Sequence, residues 1–328
     1  MTFLRRATRT VWAAWGLRDV LPMRVKIRLA RAKARLRRAR LSRERRRGHV
    51  HHSRFGAAPP LRPGRRRMTV TNVVLASDLN PSYLDFWPLA RRAWRDVAGL
   101  DPLLVLVARD EEVPPALRTD ESVRVFAPLE GVHTAFQAQC IRLLYPALLD
   151  APGAVLVSDI DLLPMNRSYW HEPVAALDAT FFVAYRDVLH HRRMVAIAFN
   201  AAEPATWRDL FEIETAGDVR TRLGEWAAGT VYDGVRGGRG WHTDQTLLYD
   251  RLRAWGASNG RVWVLDDDFT SFHRLDRADV ERGLTRLQRQ RIRARRYTDF
   301  HALVPHSEHR ELNEEVARLA LGPVPAGR

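Results

Sequence analysis

From Met68 onward, short apolar runs alternate with longer segments in which apolar residues recur at helical spacing. Such an alternation of strands and helices predicts a mostly parallel sheet whose strands are joined by right-handed crossovers. The predicted fold class is therefore α/β, a Rossmann-like sheet flanked by helices. Strands are predicted at 71–77, 102–108, 122–128, 153–158, 179–185, 194–199 and 261–265, and helices at 81–97, 134–150, 204–214, 241–254, 277–293 and 308–320.

Positive charge is concentrated at the start of the chain. Residues 1–67 hold 22 of the 53 Lys and Arg residues but only 2 of the 38 Asp and Glu residues. The formal net charge of +15 therefore belongs to this segment, and the rest of the chain is slightly acidic. We predict a basic arm with a Pro/Gly-rich linker at 1–67 and a folded domain at 68–328. Because the body does not interleave basic and aromatic residues, no nucleic-acid partner is expected.

The basic arm has three interpretations. Residues 25–47 can form a helix with a thin apolar edge and a wide cationic face, which is typical of helices that lie on anionic membranes. A solvated, partly disordered arm is the second interpretation, and a translation start at Met68 is the third. The first predicts peripheral contact of residues 1–50 with the inner face of the membrane. A cytoplasmic location is expected, because the single cysteine, Cys140, excludes a disulfide framework.

The apolar run at 153–158 ends on two aspartates one residue apart, Asp159 and Asp161. Ligands of parallel α/β sheets bind at the carboxyl ends of strands, and residues i and i+2 of an extended segment project to the same side. Two such carboxylates repel unless a cation lies between them, and their oxygens suit Mg²⁺ or Mn²⁺. The pair predicts a metal site that binds a diphosphate. Asp266 and Asp268 have the same spacing, and a solvated turn is the alternative for either pair.

The segment "LVSDIDLLPMNRSYW" at 156–170 resembles the metal-binding segment of GT-A type nucleotide-sugar glycosyltransferases, especially bacterial and viral proteins with an "SDIDmlPm" signature. The segments at 137–149, 241–252 and 297–316 agree with this resemblance, which covers residues 68–321. It implies a GT-A catalytic domain with a mixed, mostly parallel sheet. It also implies a hexosyltransferase-type enzyme that uses Mn²⁺ or Mg²⁺. The donor would be a UDP-, GDP- or CDP-linked sugar and the acceptor a hydroxyl of a glycan or another molecule, in cell-surface polysaccharide or glycoconjugate synthesis.

The resemblance also implies which residues bind the metal. Asp161 would be a direct ligand, and Asp159 would contact the metal through water or hold the donor ribose. His301 would be a further ligand, and Asp299 would accept a hydrogen bond that orients its imidazole. A packing or surface role is the alternative for His301.

Four residues are implied at the nucleotide. Ser77 and Asp78 close the first strand, where GT-A proteins hold the base and ribose. Arg142 would pair with phosphate oxygens, and Ser158 would line the same pocket. The alternatives are a helix N-cap region for Ser77 and Asp78 and a helix-surface position for Arg142.

Four further residues are implied at the transferred sugar. Asp244 would act as base on the acceptor hydroxyl, Trp241 would stack on a sugar face, and Gln245 would lie beside them. Asn200 would hydrogen-bond sugar hydroxyls. The alternatives are a helix cap for Asp244 and a turn for Asn200. The glycine-rich segment 233–240 would be a mobile loop over the donor, with a plain linker as its alternative.

Two other functions fit parts of the sequence. A metal-dependent nucleotidyltransferase or phosphohydrolase would use the same carboxylates, although such sites gather more acids or a glycine-rich phosphate loop, and no P-loop pattern occurs here. A polyanion-binding protein would use the arginine-rich arm and would show a steep dependence on salt.

Overall fold

A computed structural model describes residues 65–189, 192–265, 267 and 270–322. Nearly all of the predicted arm lies outside the described residues, as do Asp266 and Asp268. The three interpretations of the arm therefore stay predictions. Within the described part of the chain, no helix combines the length and hydropathy that crossing a bilayer requires.

The centre of the described region is a seven-stranded sheet, and two further strands form a separate antiparallel pair. The strands are β1 (Val70–Asp78), β2 (Asp101–Val107), β3 (Val123–Phe126), β4 (Ala154–Val157), β5 (Leu162–Pro164), β6 (Phe182–Ala184), β7 (Asn200–Ala202), β8 (Val262–Val264) and β9 (Asp299–His301). The large sheet has the order β3-β2-β1-β4-β7-β6-β8, and β5 pairs with β9. Only β7 runs antiparallel to its two neighbours, β4 and β6, while the other pairs are parallel. The predicted α/β class with a mixed, mostly parallel sheet is confirmed.

Helices flank the sheet. They are α1 (Pro81–Leu84), α2 (Trp87–Ala93), α3 (Pro115–Arg118), α4 (Thr134–Leu144), α5 (Ser168–His171), α6 (Pro204–Phe211), α7 (Ala216–Ala228), α8 (Thr243–Asn259), α9 (Arg277–Val280), α10 (Arg286–Arg293) and α11 (Arg310–Leu321). Helix α4 is the one that matters most for the site, because it packs on β1 and β2. Eight of its eleven residues are buried, including the polar Gln137 and Arg142. The strong helical pattern in the sequence is therefore that of a helix enclosed on most sides.

Strand β4 lies in the middle of the sheet between β1 and β7. All four of its residues are buried, as its unbroken apolar sequence predicts for a strand covered on both faces. The indole of Trp207 in α6 donates a hydrogen bond to the Val155 carbonyl at 3.2 Å. The aspartates that follow β4 are thus delivered from the most enclosed part of the fold.

The residues just before Met68 join the folded unit. The backbone N–H of Met68 donates to the Leu177 carbonyl at 2.9 Å, and that of Ala179 donates to the Arg66 carbonyl at 2.9 Å. Arg66 also pairs with Glu203. The folded unit therefore takes in at least the last residues of the segment that we assigned to the linker.

The prediction of a strand at 194–199 is wrong. Its apolar residues are buried, but the strand in this region is β7, which starts at Asn200. The side-chain amide of Asn200 donates to the carbonyls of Ala196 and Ile197 at 2.8 and 2.6 Å. Because a side chain takes these acceptors, the backbone before β7 does not extend the ladder.

The single helix predicted at 277–293 is two helices, α9 and α10. Gly283 lies between them with φ of +90°, a conformation that glycine adopts readily. Helix α10 then starts with a capping box in which the Thr285 hydroxyl accepts from the Gln288 N–H and the Gln288 side chain accepts from the Thr285 N–H. The sequence "TRLQ" carried this signal, since Ser/Thr-x-x-Glu/Gln marks a helix start.

Candidate active site

One cavity of about 250 Å³ opens where β1 and β4 end. It brings together nine of the eleven predicted site residues: Ser77, Asp78, Arg142, Asp159, Asp161, Trp241, Asp244, Gln245 and His301. Ligand sites of α/β sheets occupy this position, outside the carboxyl ends of the strands. Tyr83 and Arg236 also line the cavity and were missed. No sequence pattern indicated Tyr83, whereas Arg236 lies in the glycine-rich loop that we predicted to cover the donor.

The two aspartates after β4 reach the cavity from a turn. The Leu162 N–H donates to the Asp159 carbonyl at 3.2 Å, so the segment bends at once and is not extended as we assumed. The Asp159 side chain remains about one-third exposed, whereas that of Asp161 is 9% exposed. The same spacing therefore gives one carboxylate at the mouth of the cavity and one in its wall.

Arg142 is a bridge between two carboxylates. One terminal nitrogen pairs with Asp159, the other donates to Asp244 Oδ2 at 2.8 Å, and Nε donates to the Gln139 carbonyl at 3.1 Å. Burial alone would lower the pKa of Arg142, but Asp159 and Asp244 outweigh it and raise that pKa. All three nitrogens of the guanidinium are in use, so Arg142 positions the acidic groups in this arrangement. Its predicted contact with phosphate stays a prediction.

Asp244 is nearly inaccessible, at 2% exposure. Its Oδ1 accepts from the Gln245 N–H at 2.8 Å and its Oδ2 accepts from Arg142. Burial raises the pKa of Asp244, and Arg142 opposes that effect. Both oxygens already accept hydrogen bonds, so the geometry favours a positioning role, and the role of base stays a prediction.

The pairing of β5 with β9 places His301 beside Asp161. In the pairing of β5 with β9, Leu162 lies opposite His301, and the Ala302 N–H donates to the Asp161 carbonyl at 2.9 Å. The His301 Nε2 atom lies 3.7 Å from Asp161 Oδ2. Neighbouring strands that are distant in sequence thus place two of the predicted metal ligands side by side.

The orienting partner of His301 is not the residue that we predicted. Asp299 pairs with Arg274, whose Nε donates to Asp299 Oδ2 at 2.8 Å. Asp276 is the carboxylate at His301, with 3.5 Å between its Oδ2 atom and Nδ1. A hydrogen bond from His301 lowers the pKa of Asp276 to about 2. Residues 299 and 301 of a strand project from the same side, but Arg274 holds the first of them.

Ser77 and Asp78 end β1 at the cavity. The Ser77 hydroxyl donates to the Asp78 carbonyl at 2.8 Å. Asp78 Oδ2 accepts from the Thr134 hydroxyl at 2.8 Å and Oδ1 accepts from the Asn80 N–H at 3.1 Å. The N-cap of α1 is Asn80, so neither predicted residue is the cap itself.

Ser158 and Asn200 do not line the cavity. Ser158 is fully buried, and its hydroxyl donates to the Asp159 carbonyl at 3.2 Å. Asn200 is also fully buried, and its side-chain NH₂ group donates to backbone carbonyls just before β7. Both residues support the loops that border the site.

Trp241 and an arginine without an ion pair, Arg236, also line the cavity. Trp241 stacks on Tyr232 with ring centroids 6.5 Å apart and planes inclined by 15°. Burial raises the pKa of Tyr232 to about 12. Arg236 is exposed and has no ion pair among the described residues. These residues therefore offer a flat apolar face and a free positive charge.

The chain resembles solved glycosyltransferases. The galactosyltransferase LgtC, solved with donor and acceptor sugar analogues, is 15% identical, and the match covers 78% of this chain and 98% of LgtC with a TM-score of 0.39. GlyE of Streptococcus pneumoniae TIGR4 is 16% identical over 76% of this chain and 60% of GlyE, with a TM-score of 0.40. The bifunctional WbbM matches at 12% identity over 81% of this chain and 52% of WbbM, with a TM-score of 0.33. No family model and no curated protein matches the sequence.

The predicted metal ligands fit a divalent cation by donor type. Mn²⁺ accepts carboxylates and imidazoles as ligands, and the predicted set has two carboxylates and one imidazole. The imidazole of His301 also has the carboxylate of Asp276 near Nδ1, the nitrogen that would not bind the metal. As they lie, the acids are neutralised by arginine: Asp159 by Arg142, and Asp161 by Arg277 at 2.8 Å. In the part of the chain that the structure describes, no cluster of three or more His, Cys, Asp or Glu side chains is arranged to hold an ion. The donor atoms suit a divalent cation. In the structure, the arginine side chains supply the positive charge that such a cation would bring to the two carboxylates.

Asn313 holds the segment that follows His301. Its side chain is fully buried, donates to the Leu303 carbonyl at 2.9 Å and accepts from the Leu303 N–H at 3.0 Å. We expect Asn313→Ala to lower the free energy of unfolding by about 2–4 kcal/mol, because two backbone groups lose their buried partner. Urea unfolding measures the loss. Asn166→Ala, at a more exposed position, is the control and should cost less than about 1 kcal/mol; equal losses would contradict the assignment.

Proposed function

We propose that this protein transfers a sugar from a nucleoside diphosphate sugar to a hydroxyl group of an acceptor, with the help of a divalent cation. One observation supports it above all others: a single cavity at the carboxyl ends of β1 and β4 contains the acidic pair, the imidazole, an unpaired arginine and an indole. A sugar nucleotide needs these groups together, since its diphosphate requires positive charge and the apolar face of its sugar suits an aromatic ring. GT-A is the fold type, and hexosyltransferase the activity class, that we propose for it.

The cation would be Mn²⁺ or Mg²⁺, held by Asp159, Asp161 and His301. When bound, it supplies positive charge that stabilises the departing diphosphate. Arg142 keeps Asp159 at the mouth of the cavity through their ion pair. Asp276 Oδ2 lies 3.5 Å from Nδ1 of His301, where it would orient the imidazole with its Nε2 atom toward Asp161.

The remaining groups bind and orient the donor. Ser77 and Asp78 lie at the end of β1, where a ribose can accept or donate hydrogen bonds, and Thr134 fixes the Asp78 carboxylate. Arg236 can pair with phosphate oxygens, because its guanidinium has no other ion partner in the described residues. Trp241 presents a ring for the sugar, and its stacking on Tyr232 restricts the ring's orientation.

The cellular setting of the reaction is also part of the proposal. We propose a cytoplasmic enzyme of polysaccharide or glycoconjugate synthesis whose donor is linked to UDP, GDP or CDP. Residues 1–50 would hold it to anionic lipid. These assignments draw on the sequence motifs and on the charge of the arm.

Product analysis tests the reaction class. The full chain is incubated with Mn²⁺, an acceptor mixture and each of several UDP-, GDP- and CDP-sugars, and the products are identified by mass spectrometry. We expect one donor class to yield a glycosylated acceptor and the free nucleoside diphosphate. Release of free sugar and nucleoside diphosphate at the same rate with and without acceptor would instead indicate a hydrolase. Formation of a nucleotidylated acceptor with release of sugar 1-phosphate would indicate a nucleotidyltransferase.

A thermal-shift panel tests the donor site without turnover. A nucleoside diphosphate present at about 100 times its dissociation constant should stabilise the fold by about 2.7 kcal/mol. We expect this stabilisation for one base in the presence of Mn²⁺, and a much smaller one with EDTA. The matching nucleoside is the control, since it lacks the diphosphate. Stabilisation that does not respond to Mn²⁺ would contradict the proposed cation site.

A further inference from the structure

Arg277, at the start of α9, lies between two of the proposed metal ligands. Its Nη2 atom donates to Asp161 Oδ2 at 2.8 Å and also contacts His301 Nε2. The guanidinium side chain is only 19% exposed, and that of Asp161 is 9% exposed. One positively charged nitrogen thus occupies the gap between the carboxylate and the imidazole.

The contact with Arg277 indicates which tautomer of the His301 ring fits this arrangement. Arginine has only N–H donors, so Nε2 must offer its lone pair to Arg277. The ring proton is then on Nδ1, where it faces Asp276 Oδ2 at 3.5 Å. A metal-binding histidine uses the same tautomer, with a free lone pair on one nitrogen and a carboxylate at the other. Arg277 therefore takes up the lone pair that a metal ion would use.

Arg277 is also incompletely satisfied in this position. Its Nε atom is buried and has no hydrogen-bond partner among the described residues. A buried N–H donor without an acceptor is unfavourable, and Arg277 shares this feature with Arg91 and Arg222 among the described residues. The arrangement neutralises the Asp161 carboxylate but leaves one buried N–H group of the Arg277 guanidinium without an acceptor.

We propose that Arg277 and a divalent cation are alternative occupants of the gap between Asp161 and His301. This inference rests on the proposed function, because it concerns the same cation site. Two cations cannot share the gap, since both need the Asp161 Oδ2 oxygen and the His301 Nε2 lone pair and they repel each other. Without metal, Arg277 keeps the buried carboxylate paired. Metal entry displaces the guanidinium, so Arg277 lowers the affinity of the empty enzyme for the ion.

Metal binding by an Arg277 variant tests the competition directly. Free Mn²⁺ is measured by electron paramagnetic resonance during titration of the full chain without nucleotide. We expect Arg277→Gln to bind Mn²⁺ at least about tenfold more tightly than the wild-type protein. Arg282→Gln is the matched control, because it removes an exposed arginine five residues away that has no ion pair among the described residues. An unchanged or weaker affinity in Arg277→Gln overturns the inference, as does an equal gain in the control.

Chemical labelling tests the same displacement in the wild-type chain, so the inference can be tested even if Arg277→Gln fails to fold. Phenylglyoxal modification of each arginine is followed by peptide mass spectrometry with and without Mn²⁺. We expect Mn²⁺ to raise the labelling of Arg277 at least about threefold and to leave Arg282 unchanged. Bound Mn²⁺ with unchanged or reduced labelling of Arg277 overturns the inference.

These experiments separate the inference from the proposed function. Both are made without a sugar nucleotide, so a gain in Mn²⁺ affinity in Arg277→Gln supports the competition even if no sugar is ever transferred. Sugar transfer by a protein in which Arg277→Gln leaves Mn²⁺ affinity unchanged would overturn the competition and leave the proposed function intact. Failure of both proteins to bind Mn²⁺ overturns the competition.

Discussion

Replacing Asp161 by asparagine should reduce sugar transfer by about 10²–10³-fold, because the side chain loses the negative charge that binds the cation at the diphosphate. The substitution is nearly isosteric and leaves Oδ1 or Nδ2 in the place of Oδ2. We expect the remaining activity to respond weakly to added Mn²⁺. Initial rates over a range of Mn²⁺ concentrations measure both effects.

Asp120→Asn is the control for this substitution. Asp120 is a similarly buried carboxylate, with a side chain 10% exposed, and it is paired with Arg91 at 2.8 Å. It lies before β3 and outside the cavity. We expect some loss of stability from Asp120→Asn but a normal rate. An Asp161→Asn protein that turns over at the wild-type rate would refute the assignment of the site.

Replacing Arg142 by methionine should destabilise the fold more than any other change at the site. The side chain is buried between Asp159 and Asp244, and Asp244 is itself buried. Removing one member of a buried ion pair leaves an uncompensated charge, which typically costs about 3–5 kcal/mol. Urea unfolding at pH 7 measures the loss. Arg91→Met removes a one-third exposed partner of Asp120, which still accepts from the Trp87 indole at 3.2 Å and the Ser122 N–H at 2.9 Å, so it should cost less, about 1 kcal/mol.

The pH dependence of this loss identifies its cause. Burial raises the pKa of Asp244 above its usual 3.8, and Arg142 holds that increase back. Without Arg142 the pKa of folded Asp244 rises further, so the folded variant binds a proton more tightly than the unfolded chain does. The deficit relative to the wild-type protein should then be full above the raised pKa and should shrink as the pH falls through it. The double variant Arg142→Met/Asp244→Asn should recover much of the loss at pH 7; further destabilisation by the second change would contradict the explanation.

Local patterns predicted the elements that deliver the site. The apolar run of β4 and the helical spacing of α4 describe segments that are buried on most sides, and the structure confirms both. The motifs at Ser77, Asp159, Asp161, Asp244 and His301 all reach one cavity. Each of these predictions depends on residues that are close in sequence, where side-chain direction and burial repeat with the period of the element.

The patterns failed where side chains compete with the backbone. Residues 194–199 read as a strand, but the Asn200 amide takes two of their carbonyls, which no hydrophobic pattern reveals. Helix α7 was missed because its apolar face is thin, although its capping box of Thr215 and Asp218 is visible in the sequence. Capping chemistry was therefore the unused signal for helix boundaries.

The sequence by itself determined that two carboxylates stand at the end of a buried central strand, because the length and composition of an apolar run decide where a strand stops. Only the tertiary structure decided what those carboxylates meet. Arg142 and Asp244 are 102 residues apart, and Arg277 and Asp161 are 116 apart. These pairings depend on the register of β5 on β9 and on the packing of α4 against α8. Both the register and the packing are set by contacts along the whole chain. For that reason the sequence predicted an acidic site, and the fold alone placed an arginine at each of its two carboxylates.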